Sequence, residues 1–237
     1  MKKWRLLDTD LAHPYYVTAL DDAISIARSR DIVPNTLHFY RRSPPGVSIG
    51  RMQSVRDVDL EECRRRGIII VRRRSGGGTI YTDEGCLIYS LVFRSVARNP
   101  NTIFSRICRS IVSAIENTGI DADFKQPNDV LVNGRKVSGS AMVMRGEIIL
   151  MHGTIIVDSD LDVMRRILLK KGKTEVTSLR REGSSVSIEE MKRLLSEEFS
   201  KSLGVEFEKD EPTDFERGLT ERLIDERYGR DEWNFWK

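Results

Sequence analysis

Residues 72–85 read RRRSGGGTIYTDEG and combine three consecutive arginines with three consecutive glycines. Glycine has no Cβ, so a ligand can come into contact with the main-chain N–H groups of such a turn. Guanidinium groups beside these amides suit an anion such as a carboxylate or a phosphate. The segment matches neither the P-loop pattern nor the GxGxxG turn of dinucleotide-binding proteins. It therefore predicts an anion-binding turn, although a flexible hairpin tip with solvated arginines fits the same residues.

A second segment, residues 128–142, reads NDVLVNGRKVSGSAM. Its Asn133-Gly134 pair is the strongest short-range hairpin signal, because a type I′ turn needs positive φ at both central positions. The hairpin brings Lys136 back toward Asp129, and small residues follow on the second strand. An ammonium group can neutralise phosphate charge, and a carboxylate can hold Mg²⁺. These groups indicate nucleotidyl transfer, and a surface lysine beside a hairpin turn is the competing interpretation.

His152 opens a third segment, HGTIIVD, which predicts the last strand of a sheet. Imidazole is a frequent catalytic group near neutral pH, which makes this residue a candidate for the site. A lone histidine at a strand start is also a common packed core residue, so both interpretations stay open.

The three cysteines, Cys63, Cys86 and Cys108, form no CxxC pair and no Cys/His cluster. A disulfide framework and a structural zinc site are therefore not expected, and a cytoplasmic location fits. The formal net charge of +3 does not indicate nucleic-acid binding. The sequence has neither an apolar run long enough to span a membrane nor the apolar region of a signal peptide.

The order of elements predicts an α+β fold with a mixed or antiparallel sheet and flanking helices. We expect one domain over residues 1–237, of which residues 160–237 form a helical C-terminal part without a large accessory domain. Polar residues 171–185, which include Lys171 and Lys173, predict a mobile loop and a candidate lid. The periodicity predicts helices at 15–30, 58–67, 101–118, 160–170, 187–203 and 213–228, and strands at 37–40, 47–50, 68–74 and 87–93.

Taken in order, the three segments resemble the lipoate–protein ligase family, and the resemblance covers roughly residues 5–165. Residues 226–234, ERYGRDEWN, are similar to the terminal segment of the small archaeal-type ligases. The resemblance implies an α+β catalytic domain of the biotin/lipoate ligase superfamily and an ATP-dependent reaction. Lipoate and MgATP would give lipoyl-AMP, and a lysine of a lipoyl-domain or H-protein type carrier would then take the lipoyl group. It also implies a separate small accessory ligase subunit.

The resemblance assigns roles to residues of this sequence. Lys136 would be the catalytic residue, and Asp129 would help to place the Mg²⁺ of ATP. The residues that would bind lipoate or its adenylate are Arg72, Ser75, Gly76, Gly77, Gly78, Tyr81, Asp83, Asn128, Gly139, Ser140, Ala141 and His152.

Three positions depart from the family pattern, namely Thr82 where histidine is usual, Cys86 where Asn or Asp is usual, and Ile88 where Asn is frequent. Other functions therefore stay open. An octanoyl transferase would move the acyl group through a cysteine thioester without ATP, and Cys86 is the candidate thiol because the segment before Lys136 has none. A biotin ligase and a non-catalytic lipoyl-binding homologue are the remaining alternatives.

Overall fold

The computed structural model describes residues 2–96, 99–170, 172 and 174–237. Within these residues the strands are Lys2–Ala12 (β1), Thr36–Arg42 (β2), Gly46–Ile49 (β3), Ile69–Arg72 (β4), Ile80–Thr82 (β5), Cys86–Arg94 (β6), Asp123–Lys125 (β7), Asp129–Val132 (β8), Arg135–Arg145 (β9), Ile148–Ile156 (β10) and Val205–Lys209 (β11). The α-helices are Pro14–Ser29 (α1), Leu60–Arg65 (α2), Pro100–Glu116 (α3), Leu161–Ile167 (α4), Ile188–Leu203 (α5), Asp214–Leu223 (α6) and Asp231–Asn234 (α7), with a 3₁₀ turn at Val55–Asp57 and a π turn at Ile224–Tyr228.

The described strands form a large and a small sheet. The large sheet has the order β11-β1-β2-β6-β10-β9-β8-β7, in which β1 runs parallel to β2 and β11 and the remaining neighbours are antiparallel. The small sheet has the order β4-β3-β5. The mixed sheet and its flanking helices confirm the predicted α+β class.

Helices cover both faces of the large sheet. On one face α3 and α5 pack on β2, β6 and β10 around the largest apolar core. The isoleucines spaced four apart in α3, from Ile103 to Ile115, form the buried stripe that their spacing predicts. None of the described helices is long and apolar enough to cross a lipid bilayer.

Helix α1 lies on the opposite face and positions much of the candidate site. It begins at Pro14, and the His13 ring caps it by accepting a hydrogen bond from the Tyr15 amide. Leu20 and Ile24 pack on the sheet, whereas other α1 residues pack against α6 and the π turn. Because α1 is enclosed on both sides, its polar residues are held within the protein.

The hairpin between β8 and β9 has the predicted geometry. Asn133 and Gly134 both have positive φ, at 50° and 74°. Asp129 pairs with Gly139 and Leu131 pairs with Lys136, with a bulge between them. The extra residue of this bulge is Val137 in β9, and it changes the alternation along β9, so Lys136 and Asp129 lie close together.

The C-terminal part differs from its prediction in two elements, strand β11 and the short helix α7, which follows the predicted helix 213–228. Residues 160–237 contain the expected helices, but β11 follows α5 directly and extends the large sheet beside β1. The prediction missed this strand because VEFEK is only five residues long and lies between two clear helices. Helices α5 and α6 pack on α3 and α1, respectively, so this part of the chain covers the sheet.

The predicted mobile loop is attached over much of its described length. The Lys136 amide donates to the Glu175 carbonyl, and the Leu179 amide donates to the Ile156 carbonyl. Lys171 and Lys173, the two lysines of the candidate lid, lie outside the described residues.

Candidate functional site

A cleft of about 500 Å³ lies between α1, the glycine turn of residues 75–78, the β8–β9 hairpin and β10. Alternate residues of β10 (Leu150, His152, Thr154 and Ile156) lie along it, as expected when one face of a strand forms a wall. Apolar residues flank a polar centre. Tyr40, Ile88 and Leu150 lie toward α1, whereas Ile156, Met164, Leu168 and Val176 belong to the core beneath the small sheet.

Lys136 and Asp129 form an ion pair in this cleft, with Nζ and Oδ1 2.6 Å apart. The lysine folds back over Gly139, where an added Cβ would lie 2.5 Å from Nζ and 2.6 Å from Cε. The glycine is therefore the residue that leaves room for the lysine side chain on β9. Both charged side chains remain partly exposed, so a ligand in the cleft can contact them.

Asn128 and Ala141 shape the neighbouring part of the wall. The Asn128 side-chain amide donates to the Ser140 carbonyl, and the Ser140 amide donates to the Asn128 carbonyl. The Ser140 hydroxyl bonds to Tyr89 in the core, so it is turned away from the cleft. Ala141 faces the glycine turn, where a Cβ added to Gly77 would lie 3.3 Å from the Ala141 Cβ.

Ser75 and His152 join the glycine turn to β10. The Ser75 Oγ lies 2.6 Å from Nε2 of His152, and the other ring nitrogen, Nδ1, lies 3.6 Å from Oδ2 of Asp21 on α1. Ser75 and Asp21 are buried, and all three residues line the cleft. A hydroxyl group, an imidazole and a carboxylate are thus aligned across three separate elements.

Asp21 belongs to a larger buried network. Its carboxylate also contacts the ring of His38 at 3.0 Å and accepts a hydrogen bond from the Tyr40 hydroxyl at 2.9 Å. Burial by itself would raise the pKa of Asp21, but the contacts with His152 and His38 outweigh burial and lower it. Burial lowers the pKa of His152 below its ordinary value, although Asp21 opposes this shift. Asp21 is therefore ionised at neutral pH, and His152 is neutral.

Arg73, and not the predicted Arg72, faces the cleft. The Arg73 Nε donates to the Ser75 hydroxyl at 3.0 Å, and its other nitrogens donate to the carbonyls of Ser48, Gly76 and Gly78. Burial lowers the pKa of Arg73 to about 10, so the group stays charged at neutral pH. This guanidinium holds the glycine turn in shape and places a positive charge beside Ser75.

Arg72 is fully buried on the other side of β4. It donates to the carbonyls of Gly50, Gln53 and Asn234, and its amide donates to the Asn234 side chain. These contacts attach the C-terminal residues to the small sheet. The structure does not bring Arg72 to the cleft.

The other predicted site residues divide into two groups. Gly77, Gly78 and Tyr81 line the cleft, as do Asn128, Asp129, Lys136, Gly139, Ser140, Ala141 and His152. Gly76 and Asp83 lie outside the lining. The carboxylate of Asp83 instead accepts hydrogen bonds from the amides of Gly85 and Asp160, which fixes the turn before β6. Thr82 is buried and accepts a hydrogen bond from Arg42.

The acidic residues of α1 were not among the site residues predicted from the sequence. Asp22 is buried like Asp21 and is surrounded by Arg74, Arg145 and Arg227 at 3.0–3.3 Å. Two adjacent carboxylates within the apolar run of an amphipathic helix were the available signal. Carboxylates at such positions are retained where other groups pair with them.

The three cysteines are poorly placed for covalent chemistry. Cys86 is buried outside the cleft lining, and burial raises the pKa of its thiol far above the ordinary value. Burial also raises the pKa of Cys108 and of Cys63 to about 11. Because the thiolate is the reactive form, none of these groups is an activated nucleophile.

Among the described residues, no group of three or more His, Cys, Asp or Glu side chains is arranged to hold a metal ion. The Asp129 carboxylate that the resemblance assigns to Mg²⁺ is paired with Lys136. The role of Asp129 as a metal ligand stays a prediction.

Comparison with known proteins shows that the chain is similar to lipoyl protein ligases and octanoyltransferases. A family profile described as "Lipoyl protein ligase A/B catalytic domain" matches residues 13–200. The "Octanoyltransferase LipM" of Kyrpidia tusciae is 31% identical, and the match covers 100% of both chains. Curated relatives from Geobacillus kaustophilus and Brevibacillus brevis carry the same name.

Two solved structures are similar over nearly the whole chain. A bi-partite lipoate protein ligase from Thermoplasma acidophilum, studied with its E2 lipoyl domain, is 29% identical with a TM-score of 0.90, covering 99% of this chain and 97% of that one. A lipoate-protein ligase A bound with ATP is 30% identical with a TM-score of 0.89, covering 99% of both chains. These structures bear out the resemblance to lipoate–protein ligases and the fold that it implies.

The expectation of an ATP-dependent ligase is wrong. The curated relatives that match over nearly the full length are octanoyltransferases, which transfer an acyl group. The segments that suggested nucleotidyl transfer are built from a glycine turn and a lysine–carboxylate hairpin. The same groups can stabilise a developing oxyanion in acyl transfer, so they do not distinguish the two reactions.

Proposed function

Since the chain belongs to the family of lipoyl protein ligase A/B catalytic domains, we propose that it transfers an octanoyl group from a thioester donor to a lysine amine of a lipoyl-domain carrier. The names of the curated relatives support the acyl group and the reaction class. The lipoyl domain studied with the Thermoplasma ligase supports the type of acceptor. A lipoyl group as an alternative substrate, an accessory subunit and a cytoplasmic location stay predictions.

The observation that carries this proposal is the position of Lys136 at the polar centre of a cleft with apolar sides. The ammonium group donates to the thioester carbonyl and stabilises the negative charge that forms on its oxygen during attack. Asp129 holds the ammonium in place at 2.6 Å. A cleft of about 500 Å³ lies within the usual range for small-molecule sites.

The apolar residues toward α1 hold the acyl chain in this proposal. Tyr40, Ile88 and Leu150 surround that part of the cleft, and burial of an alkyl chain there is favourable. The polar atoms of the thioester then lie beside Lys136, Ser75 and His152. The acceptor lysine enters from the open side of the cleft.

The proposal is tested by incubating the purified chain with the octanoyl thioester of a phosphopantetheine carrier and a lipoyl domain, without nucleotide. We expect the intact mass of the lipoyl domain to increase by one octanoyl group. Lys136→Ala should reduce the rate by about 10²–10³-fold, the usual cost of removing an oxyanion donor. Lys201→Ala, on the exposed face of α5, is the matched control and should leave the rate unchanged.

Two further arms separate this reaction from the alternatives. Modification that occurs only with free lipoate and ATP would contradict acyl transfer from a thioester. Absence of any modification, together with tight binding of an octanoylated carrier, would favour a binding protein. Cys86→Ala should retain the transfer rate, because the buried thiol lies outside the cleft lining.

A further inference from the structure

An acyltransferase that works in two steps needs a nucleophile, and none of the three cysteines lines the cleft. The lining of the cleft instead includes Ser75, which is itself buried and whose hydroxyl contacts a base. Ser75 Oγ is 2.6 Å from His152 Nε2, and Asp21 lies 3.6 Å beyond the second ring nitrogen. The serine–histidine contact is a hydrogen bond, whereas the histidine–aspartate contact is an ion-pair distance longer than a hydrogen bond. The order of hydroxyl, imidazole and carboxylate is the one found beside an activated nucleophile.

We propose that Ser75 accepts the acyl group as an ester, with His152 as its general base and Asp21 as the positioning residue. This inference rests on the proposed acyl-transfer function and adds an intermediate to it. The ring nitrogen that faces the Asp21 carboxylate carries the proton, which leaves Nε2 as the acceptor of the Ser75 hydroxyl proton. Asp21 is itself fixed by His38 and Tyr40, so the ring has a defined orientation.

Arg73 supports the formation of a nucleophilic oxygen. Its Nε–H donates to the Ser75 Oγ at 3.0 Å, and carbonyls of the glycine turn and β3 hold the guanidinium in place. A fixed positive charge beside the hydroxyl stabilises the negative charge that develops when the proton leaves. The Ser75 oxygen thus has a base on one side and a cation on the other.

Negative charge also develops on the thioester carbonyl oxygen during attack, and the glycine turn provides donors for it. The amides of Gly77 and Gly78, two residues that line the cleft, donate to no other group among the described residues. Gly77 has φ of +84°, a conformation that a side chain would strain, so glycine is favoured at this position of the turn. In this proposal the two amides donate to the oxyanion.

Lys136 is close enough to donate to the same carbonyl oxygen. The glycine turn lies against Ala141, and Lys136 folds over Gly139 on the same face of β9. Two residues along a strand correspond to about 7 Å. One thioester carbonyl can therefore lie between the turn amides and the lysine.

The two chemical steps balance without another reagent. In the first, Ser75 Oγ attacks the thioester carbon, His152 takes the hydroxyl proton, the C–S bond breaks, and the proton passes to the departing thiolate. In the second, the carrier amine attacks the serine ester and forms the amide. The C–O bond breaks, and His152 transfers the amine proton to the Ser75 oxygen.

The first test detects the ester directly. The full chain is mixed with the octanoyl thioester of a phosphopantetheine carrier without acceptor, quenched with acid and analysed by intact mass and peptide mapping. We expect one octanoyl group on the peptide that contains Ser75. Ser75→Ala should lose this adduct and reduce transfer to the lipoyl domain by about 10²-fold or more. Ser75→Cys should restore an adduct, now a thioester that neutral hydroxylamine cleaves.

Matched variants distinguish a loss of catalytic activity from a loss of folding. Ser196→Ala removes a partly buried hydroxyl on α5 that donates to the Lys192 carbonyl, and it should leave both the adduct and the rate unchanged. Asp21→Asn should lower kcat more than it changes KM for the donor. It should also move the acid limb of the pH–rate profile to lower pH, because the Asp21 charge raises the pKa of His152. Thermal unfolding of each variant reports its folding separately.

The outcomes distinguish this inference from the proposed function. Transfer by Ser75→Ala at the wild-type rate, or an adduct on a cysteine or on Lys136, would overturn the serine ester and leave acyl transfer standing. A wild-type chain that gives neither adduct nor modified carrier would overturn the proposed function itself.

Discussion

The contact between Gly139 and Lys136 gives a sharp prediction for the variant Gly139→Ala. The added Cβ would lie 2.5 Å from Lys136 Nζ and 2.6 Å from Cε, whereas ordinary contacts begin at 3.4 Å. The backbone of β9 is fixed by strands on both sides, so the lysine side chain must move by about 0.9 Å. Its pairing with Asp129 is then disturbed, while the fold is retained.

A misplacement of about 1 Å can cost about 10²-fold in rate, which corresponds to about 2.7 kcal/mol of transition-state stabilisation. We therefore expect Gly139→Ala to lower octanoyl transfer by about 10²-fold with a thermal midpoint close to that of the wild type. The assay is the intact-mass assay of the lipoyl domain. Gly218→Ala, in α6 with no atom within 4 Å of the added Cβ, is the matched control and should retain activity.

A double variant tests whether displacement of Lys136 causes the loss of activity in Gly139→Ala. If the alanine acts only by displacing the lysine, Gly139→Ala combined with Lys136→Ala should be no slower than Lys136→Ala alone, since effects on one shared group are not additive. A further loss of about tenfold or more in the double variant would refute this reasoning. It would indicate that the alanine obstructs the acyl group itself.

Three further predictions concern stability, pH and the acyl chain. Glu216→Ala should lower the free energy of unfolding by about 3–5 kcal/mol, because it removes the buried carboxylate 2.9 Å from the Arg5 guanidinium and leaves only the exposed Asp210, at 3.8 Å, as an ion partner. Urea unfolding measures this loss, and a change below about 1 kcal/mol would contradict it. Burial lowers the pKa of His152, so this base stays neutral to lower pH than free histidine does. The midpoint of the acid limb of the pH–rate profile for octanoyl transfer should therefore lie below about pH 6.5. A midpoint above that value would contradict the role of His152 as the base. Leu150→Phe should shift the preferred donor to shorter acyl chains, whereas Met164→Phe, in the other apolar part of the cleft, should not. Competition between hexanoyl and octanoyl donors measures this preference in each variant. Equal shifts in the two variants would contradict the position proposed for the acyl chain.

Local sequence predicted those parts of the site that depend on short turns. Asn133-Gly134 requires positive φ at adjacent positions, and this requirement brings Asp129 and Lys136 together within one hairpin. The glycine turn could be recognised for the same reason, since only residues without a Cβ permit close approach to its amides. The spacing of apolar residues also predicted α1 and α3, because burial of one helix face determines that spacing.

Long-range packing decided the rest, because it depends on which residues meet in space. Only the structure shows that Arg73 faces the cleft while Arg72 binds Asn234, a residue 162 positions away. Only the structure brings Asp21 and Ser75 to opposite sides of His152. Strand β11 was missed because pairing with β1 determines its conformation more than its own five residues do. Local turns and helix faces depend on near neighbours along the chain, so the amino-acid sequence was enough to predict them. The choice of arginine and the alignment of hydroxyl, imidazole and carboxylate required the tertiary structure, because three separate elements position those groups.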